Sequence, residues 1–421
     1  MIGELIVKKS KAEQLSIAEY KEIVDYILKH GADKSAIKFF VGLNSFGMSK
    51  KEVLNLTLAL RDSGQVIDYE APILEKHSTG GIGDSTSIVL IPLLASLGYN
   101  VAKTTGKSLM YTNGSTDRFC SIPNFNVNLT EKEIYKNLDN TNACVLSHKA
   151  SVCPADRVLF DIIEMTGLEN NLNLLAASIA SKKLASGADV VLVDIKFGKA
   201  SVVKTYSQAK ELAKILKYVF KKCNVKSVMM LTNTLQTIGE GIGNAIEVVD
   251  GLKVLQGRKC FLRRVSARYA AEMISLINPE LPKAAIYDMI ATNLDNGTAY
   301  KKFLDIVRAQ GGDVKKIEDS KIFIPHKSIN FMADRSGYVG NINSLLLGEL
   351  VRRLCIDSHD NHIGVALRVK IGDYVNEGDV ILSFYYKNDE DLTKYKNAIA
   401  GSIGITQNKI KPIKVLKKVI K

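Results

Sequence analysis

The sequence predicts an α/β protein in three parts, and three observations support this prediction. Residues 1–66 carry apolar side chains at three-to-four spacing, which is typical of amphipathic helices. From about residue 70, short runs rich in Val and Ile alternate with helical stretches, as in a parallel sheet covered by helices. From about residue 331, turn-rich segments such as 372–381 resemble those of small half-barrel domains. We therefore expect a helical part, an α/β part with a central, mostly parallel sheet, and a C-terminal α+β half-barrel-like part.

The helical part is predicted to contain three helices, separated by glycines that interrupt the apolar pattern. The predicted helices are Ala12–His30, Lys34–Phe46 and Lys50–Asp62. A further segment, Pro154–Lys183, is predicted to be a long and largely helical insertion that precedes the clearest strand of the chain.

The α/β part is predicted to contain buried strands, each followed by small or polar residues. The predicted strands are Asn100–Lys103, Ala143–Leu146, Asp189–Ile195 and Ser227–Leu231. Asp189–Ile195 is the clearest central strand, because its interior is continuously apolar. Sites in such sheets lie outside the carboxyl ends of the strands, so the polar residues there are expected to surround one crevice.

The composition favours a water-soluble protein that acts on small molecules. The chain has 421 residues and a formal charge of +13, from 57 basic and 44 acidic residues. The lysines are spread along the chain, so an anionic substrate or a lysine-rich composition explains the charge as well as nucleic acid does. We expect no nucleic-acid partner, and the lysine-rich 408–421 is interpreted as an exposed strand. No apolar run approaches the ~20 residues that span a bilayer, so no membrane partner is expected.

Cysteine usage and the N-terminus point to the cytoplasm. The six cysteines are scattered and form no Cys-x-x-Cys pair, which favours reduced thiols in a cytosol. The N-terminal segment has no signal-peptide layout. We therefore expect a cytoplasmic protein.

The most informative segment is 75–87, where three glycines lie among Lys76, His77 and several hydroxyl residues. Free backbone N–H groups, hydroxyls and a cation are the chemistry of an oxyanion cradle. The apolar run 88–97 that follows is predicted to be a helix capped by Asp84 or Ser85, whose dipole favours an anion. The segment is expected to be too polar for the core. An ordinary connecting loop is the alternative, and the endings typical of a P-loop or a dinucleotide fold are missing.

A second candidate site is Ser178 with Lys182. The two residues are four apart, so they share one face of a predicted helix, whereas Ser181 and Lys183 point elsewhere. A solvated helix surface is the alternative interpretation of this pair.

Taken together, these motifs resemble the thymidine and pyrimidine-nucleoside phosphorylases along nearly the whole chain. The matching segments are Lys76–Asp84, Thr105–Asp117, Ala177–Leu184, Gly243–Glu247 and Ser336–Asp379. The resemblance implies a small all-helical domain hinged to a larger α/β domain, with the active site in the cleft, and a homodimer formed through the helical domain. The implied boundaries are 1–66 with about 155–187, then 70–154 with 188–330, and finally 331–421.

The resemblance also implies roles for individual residues. Those implied to bind phosphate, the co-substrate, are Lys76, Ser78, Ser87, Thr105 and Ser115. Those implied to contact the pyrimidine are His77, Ser178 and Lys182. A monovalent cation found in some relatives would lie near Gly83, Ser85, Ile238, Gly241 and Asp250. No other cofactor is implied.

The implied reaction is the reversible phosphorolysis of thymidine, and of other pyrimidine nucleosides, to the free base and 2-deoxy-α-D-ribose 1-phosphate. Lys76 would hold the attacking phosphate, and Lys182 would stabilise the negative charge that develops on the base. His77 would donate a proton or a hydrogen bond to the departing pyrimidine carbonyl. Orienting Ser78 or the glycines is the alternative role for His77.

The chain departs from the family pattern at the base end. Ile163 stands 15 residues before Ser178, where the family usually has an arginine, and Tyr111 and Asn113 replace a histidine and a glycine. An aliphatic side chain does not replace a guanidinium fork. The stretch 197–201 is also less glycine-rich than its family counterpart.

Several explanations of these departures remain open. One of Lys107, Arg157 and Lys199 compensates for the missing arginine, or the base specificity or the activity has changed. A transferase that uses a phosphoribosyl donor on a related fold and a non-catalytic nucleoside- or phosphate-binding relative are the other two alternatives.

Overall fold

A computed structural model describes residues 2–106, 114–147 and 152–421 of the chain. The described helices are α1 (Ile2–Ser10), α2 (Ile17–His30), α3 (Lys34–Phe46), α4 (Lys50–Arg61), α5 (Thr86–Ser96), α6 (Ser115–Phe119), α7 (Glu131–Thr141), α8 (Pro154–Thr166), α9 (Leu172–Ala185), α10 (Tyr206–Lys222), α11 (Asn244–Leu255), α12 (Phe261–Ile277), α13 (Lys283–Asp295), α14 (Thr298–Ala309), α15 (Val314–Glu318), α16 (Ser344–Ser358) and α17 (Asp389–Ala400). The described strands are β1 (Ile73–Ser78), β2 (Val101–Thr105), β3 (Ala143–Ser147), β4 (Ala188–Phe197), β5 (Lys226–Asn233), β6 (Gly241–Ile242), β7 (Lys327–Met332), β8 (Gly337–Ile342), β9 (Gly364–Leu367), β10 (Tyr374–Val375), β11 (Val380–Tyr386), β12 (Ile403–Thr406) and β13 (Leu416–Ile420).

The N-terminal helices follow the sequence pattern closely. The bounds of α3 are those predicted, while α2 begins at Ile17 rather than near Ala12. The later start has a local cause, because Ser16 and Glu19 form a capping box that closes the first turn of α2. Helices α8 and α9 pack against α2, α3 and α4, so the helical insertion lies beside the N-terminal helices.

The central sheet confirms the predicted fold class. Its strand order is β1-β4-β5-β13, and the first three strands run parallel. Strand β4 is buried on both faces: Val191 and Val193 pack towards the helical part, whereas Val190 and Leu192 pack towards α5 and α12. A second parallel pair, β2 with β3, adjoins β1 through a bridge between Ile73 and Asn100. The carboxyl ends of these strands therefore open onto one region of the molecule.

The end of the chain returns to the central sheet. Strand β13 pairs antiparallel with β5 at the sheet edge, with Lys417 and Lys418 exposed. The predicted strand is therefore present, and it lies on the α/β part rather than with the preceding residues. Within the described ranges, no helix is long and apolar enough to cross a membrane.

Residues 327–406 form two small antiparallel sheets, ordered β6-β9-β11-β7 and β10-β8-β12. Strand β6 comes from the α/β part and pairs with β9, so the two parts share a sheet. Helix α16 packs on β6 and β9, which brings its side chains towards the crevice of the α/β part.

Candidate active site

A cavity of about 410 Å³ lies between the strand ends of the α/β part and the helices α8 and α9. Pockets of this size hold ligands of the size of a nucleoside. The wall from the α/β part includes Ser78, Gly80, Gly81, Asp84, Ser87, Thr105, Ser115 and Arg118. The opposite wall includes Arg157, Phe160, Asp161, Glu164, Leu175, Ser178, Ile179 and Lys182. Between the two walls are His77, Lys103, Thr104, Lys183 and Arg352.

The cavity collects most, but not all, of the residues singled out from the sequence. Those that line it are His77, Ser78, Ser87, Thr105, Ser115, Ser178 and Lys182. Lys76 and Ile163 are not part of its lining. The five candidate cation residues lie behind the glycine segment, outside the cavity wall.

The expectation that 75–87 is too polar for the core was wrong. Glu75, Lys76 and Asp84 are each at most 6% exposed. The segment tolerates burial because its charges and hydroxyls satisfy one another. Asp84, for example, accepts hydrogen bonds from the hydroxyl and the backbone N–H of Thr86 and so caps α5, whereas the Ser85 side chain makes no capping bond.

Strand alternation explains why Lys76 is absent from the cavity wall. Successive side chains of a strand point to opposite faces, and His77 takes the face that looks onto the cavity. Lys76 takes the other face, where its Nζ donates to Thr86 Oγ1 at 2.9 Å and to Asp84 Oδ2 at 3.3 Å. It also lies 6.0 Å from the centre of the Tyr269 ring. Lys76 therefore neutralises a buried carboxylate next to the cavity.

The glycine positions bring the backbone close to its neighbours. A Cβ at Gly81 would lie 2.3 Å from Cδ of Lys196, and one at Gly83 would lie 2.7 Å from Cβ of Thr237. Gly83 also has a φ of +65°, which disfavours other residues. Only glycine lets this segment lie flat against its neighbours and keep its amides near the cavity.

Two lysines balance the charge of Asp84 in the cavity wall. Lys76 and Lys196 have Nζ atoms 3.3 Å and 3.5 Å from Asp84 Oδ2. Burial opposes ionisation, but these cations hold the pKa of Asp84 well below its usual range. Asp84 is therefore an anion whose charge is already compensated, which limits its repulsion of a bound anion.

His77 is a neutral imidazole in this site. Burial is the first cause that lowers its pKa well below the usual value, and the nearby Lys183 and Lys103 add to the effect. Of the two roles implied for His77, donation of a hydrogen bond needs no protonated ring, whereas donation of a proton does. The electrostatics therefore favour a hydrogen bond.

Titration of the His77 ring is expected to show no protonation step near the ordinary histidine pKa of about 6.5. NMR of the ring protons over the range of about pH 5 to 8 measures this, with His77→Asn to assign the signal. Because the folded-state pKa is lowered, the unfolded chain binds the proton more readily, so wild-type stability falls below about pH 6.5 relative to the variant. A ring that titrates normally would contradict the burial argument.

The pair at the opposite wall is held by a buried carboxylate. Lys182 Nζ donates to Ser178 Oγ at 2.7 Å and to Asp156 Oδ2 at 2.5 Å. Asp156 is fully buried at the start of α8, and its Oδ1 has no hydrogen-bond partner. The predicted shared face is confirmed, and Asp156 fixes the ammonium at the edge of the cavity.

The face of α8 that lines the cavity carries Arg157, Phe160, Asp161 and Glu164, at three-to-four spacing. Ile163 lies off this face, is 6% exposed, and packs in the apolar cluster of the helical part. Of the three compensating residues, Arg157 lines the cavity and Lys199 is exposed outside it, whereas Lys107 falls outside the described residues, as do Tyr111 and Asn113. Arg157 is therefore the available guanidinium at this wall.

Sequence reasoning missed Lys103, Arg118, Asp156 and Arg352. Asp156 and Arg118 each lie close in sequence to a predicted site, so helical spacing gave a usable signal for both. Arg352 lies on α16, and no local pattern links that helix to the cavity.

The oxygens of the candidate cation residues converge on one point. A Cβ at Gly239 would lie 2.8 Å from Asp250 Oδ2, 3.2 Å from Ser85 Oγ and 3.3 Å from the Gly83 carbonyl oxygen. The Ser85 hydroxyl is buried without a hydrogen-bond partner. Hard oxygen donors of this kind suit an alkali or alkaline-earth cation, so these residues fit the ion that some relatives bind.

The chain was compared with known protein families and structures. Residues 70–299 match the glycosyl transferase family, a/b domain. A pyrimidine-nucleoside phosphorylase of Bacillus subtilis is 32% identical over 91% of each chain, and one of Geobacillus stearothermophilus is 31% identical over 96% of each. The anthranilate phosphoribosyltransferase structure from Thermus thermophilus has a TM-score of 0.59 and 15% identity, and covers 72% of this chain and 98% of that one. That likeness concerns the fold alone.

Proposed function

Since the chain belongs to the pyrimidine-nucleoside phosphorylase family, a family of glycosyltransferase-type enzymes, we propose that it catalyses the reversible phosphorolysis of pyrimidine nucleosides, with thymidine as a substrate. The products are the free base and, from thymidine, 2-deoxy-α-D-ribose 1-phosphate. The observation that carries this proposal is the two-sided cavity. A hydroxyl- and amide-rich wall faces a serine–lysine pair across about 410 Å³.

The α/β wall binds inorganic phosphate, the co-substrate. Ser78, Ser87, Thr105 and Ser115 present hydroxyls to the same end of the cavity, and the segment 78–87 adds backbone amides. Held there, a phosphate oxygen attacks C1′ of the sugar as the bond from C1′ to the base nitrogen breaks. The electron pair of that bond leaves with the base. Positioning the phosphate in line with this bond supplies much of the rate.

The helical wall binds the base. Lys182 stabilises the negative charge that the leaving pyrimidine acquires, and Ser178 fixes the ammonium. His77 lies between the walls and donates a hydrogen bond to a pyrimidine carbonyl in its neutral form. Arg157 takes part in base recognition in place of the arginine that Ile163 replaces. Movement of the two walls towards each other excludes water, which competes with phosphate as the nucleophile.

A panel of nucleosides assayed with and without phosphate tests the proposal. Release of thymine from thymidine only when phosphate is present, together with a sugar 1-phosphate product, is the expected result. Uridine, deoxyuridine and cytidine in the same panel define the base and sugar preference. Absence of phosphate-dependent cleavage with every pyrimidine nucleoside would sink the proposal. In that event, activity with a phosphoribosyl donor would favour the related transferase.

Three further features complete the proposal: a cytoplasmic protein, a homodimer through the helical part, and a monovalent cation held by oxygens of Gly83, Ser85, Ile238, Gly241 and Asp250. When bound, the ion braces the glycine segment against 238–241. Light scattering tests the dimer, and a monomer contradicts it. Thermal unfolding in K⁺ against a bulky organic cation tests the ion. Equal stability would mean that Lys370, whose Nζ donates to the Gly239 carbonyl at 2.6 Å, supplies the charge alone.

A further inference from the structure

The phosphate end of the cavity requires a cation in its wall. A phosphate carries up to two negative charges, and hydroxyls and amides alone leave that charge uncompensated in a largely buried site. Lys76 is the lysine implied by the family resemblance, but it lies on the far face of β1 and is engaged with Asp84. Lys196 is engaged with Asp194 at 2.6 Å and with Asp84. Neither ammonium lines the cavity.

Arg118 does line this end of the cavity. It follows Ser115 by three residues on the short helix α6, so both side chains lie on the same side of that helix. Arg118 is 5% exposed. Its Nε donates to Glu247 Oε2 at 2.5 Å, while its Nη2 is buried and has no hydrogen-bond partner. A buried guanidinium with an unsatisfied donor costs free energy unless a further acceptor is bound.

We propose that Arg118 contacts the bound phosphate and is the main cation of the phosphate site. This inference rests on the proposed phosphorolysis, because it assigns a further binding residue to the same cavity. A guanidinium suits the task, since it offers several donors in a fixed fork and can bind Glu247 with one edge and a phosphate with another. Glu247 on α11 holds the fork in place.

The surrounding charges support this assignment. Asp84 in the same wall would repel phosphate, but Lys76 and Lys196 neutralise it from behind. Burial comes first among the causes that raise the pKa of Glu247, although Arg118 acts in the opposite direction. The anion that holds Arg118 is thus weakened by burial, which leaves the guanidinium available to a second anion. Lys76 acts on phosphate through Asp84, and Arg118 acts on it directly.

The test compares substitutions at the two arginines that line opposite walls. Arg118→Lys keeps the charge and loses the fork, so the KM for phosphate is expected to rise about 10-fold, the effect of one charge-assisted hydrogen bond. The matched control is Arg157→Lys at the base wall, for which the KM for nucleoside rises and the KM for phosphate does not. Calorimetric titration with inorganic phosphate is expected to show the same loss of affinity for Arg118→Lys.

A second variant guards against misfolding. Arg118→Met combined with Glu247→Met removes both buried charges, which proteins tolerate better than the loss of one partner. It is expected to raise the phosphate KM about 100-fold with the nucleoside KM unchanged. An unchanged phosphate affinity in either variant, or an equal rise in both KM values, overturns the role of Arg118. If the wild type binds phosphate but cleaves no nucleoside, the proposed reaction fails while the titration still decides whether Arg118 holds the anion.

Discussion

Replacement of Lys182 by alanine is expected to lower kcat for phosphorolysis about 100- to 1,000-fold, the range found when one preorganised charge-stabilising donor is removed. The lysine is the cation closest to the proposed base position, and its Nζ is fixed by Ser178 and Asp156. Negative charge develops on the pyrimidine only as the glycosidic bond breaks. An interaction that strengthens in this way lowers kcat when it is lost, with a smaller effect on KM.

Loss of Lys182 also affects folding, and the structure offers a way to separate the two effects. The alanine variant leaves Asp156 as a fully buried carboxylate with no cation, which is strongly destabilising. The double variant Lys182→Ala with Asp156→Asn removes the unpaired charge, so its stability is expected to recover while its kcat stays low. Ser178→Ala is the milder control, because it removes a neutral hydroxyl that costs about 1 kcal/mol. Recovery of activity together with stability in the double variant would show that Lys182 is structural.

Local sequence patterns were sufficient to predict the elements that carry their own start and stop signals. Helix α3 has the predicted bounds, because Asp33 caps its first turn and Gly47 ends it with a φ of +76°. The apolar run in β4 predicted a strand buried on both faces, and the fold class followed from several such runs. The hydroxyl residues of the cavity were predictable for a similar reason, since strand ends of a parallel sheet meet at one edge.

Side-chain direction and long-range pairing were not predictable from these patterns. Strand alternation turns Lys76 away from the cavity, but the register of β1 is set by its pairing with β4, more than 100 residues later. The position of Arg352 depends on packing between the C-terminal sheets and the α/β part. Ile163 was expected at the base, and the helix phase instead gives the cavity to residues one turn before it and one residue after it. Each of these features depends on tertiary contacts that a linear pattern does not contain.

Glu75 illustrates the same point, and its loss is expected to have the largest effect on stability. It is fully buried on β1 and forms ion pairs with Lys183 and, at 3.6 Å, with Lys103. It also accepts hydrogen bonds from the Thr104 backbone N–H at 2.8 Å and from the Ser186 hydroxyl at 2.5 Å. One carboxylate therefore ties β1, β2 and α9 together directly beside His77.

Glu75→Gln is expected to lower the free energy of unfolding by about 3–5 kcal/mol, the usual cost of removing one partner of a buried ion pair. The amide has nearly the same shape, so the effect reports the lost charge rather than a cavity. Denaturant unfolding at neutral pH measures it. Asp334→Asn is the matched control, because Asp334 pairs with Arg335 at the exposed surface, and no measurable change is expected there.

The pH dependence of this variant tests the cause. Burial is the first cause that lowers the pKa of Lys103 well below its usual value, and it also lowers the pKa of Lys183, while Glu75 opposes both shifts. Without Glu75 the folded protein holds these protons less tightly than the unfolded chain, whose lysines titrate near pH 10.4. Stability of the variant then rises with pH between the lowered folded-state pKa values and that point, because the unfolded state binds more protons. The deficit relative to wild type is therefore expected to shrink from pH 7 towards about pH 9.5, within the stability range of the fold. A deficit that is the same at both pH values would show that the two lysines remain charged without their carboxylate, and that the cost arises from lost hydrogen bonds alone.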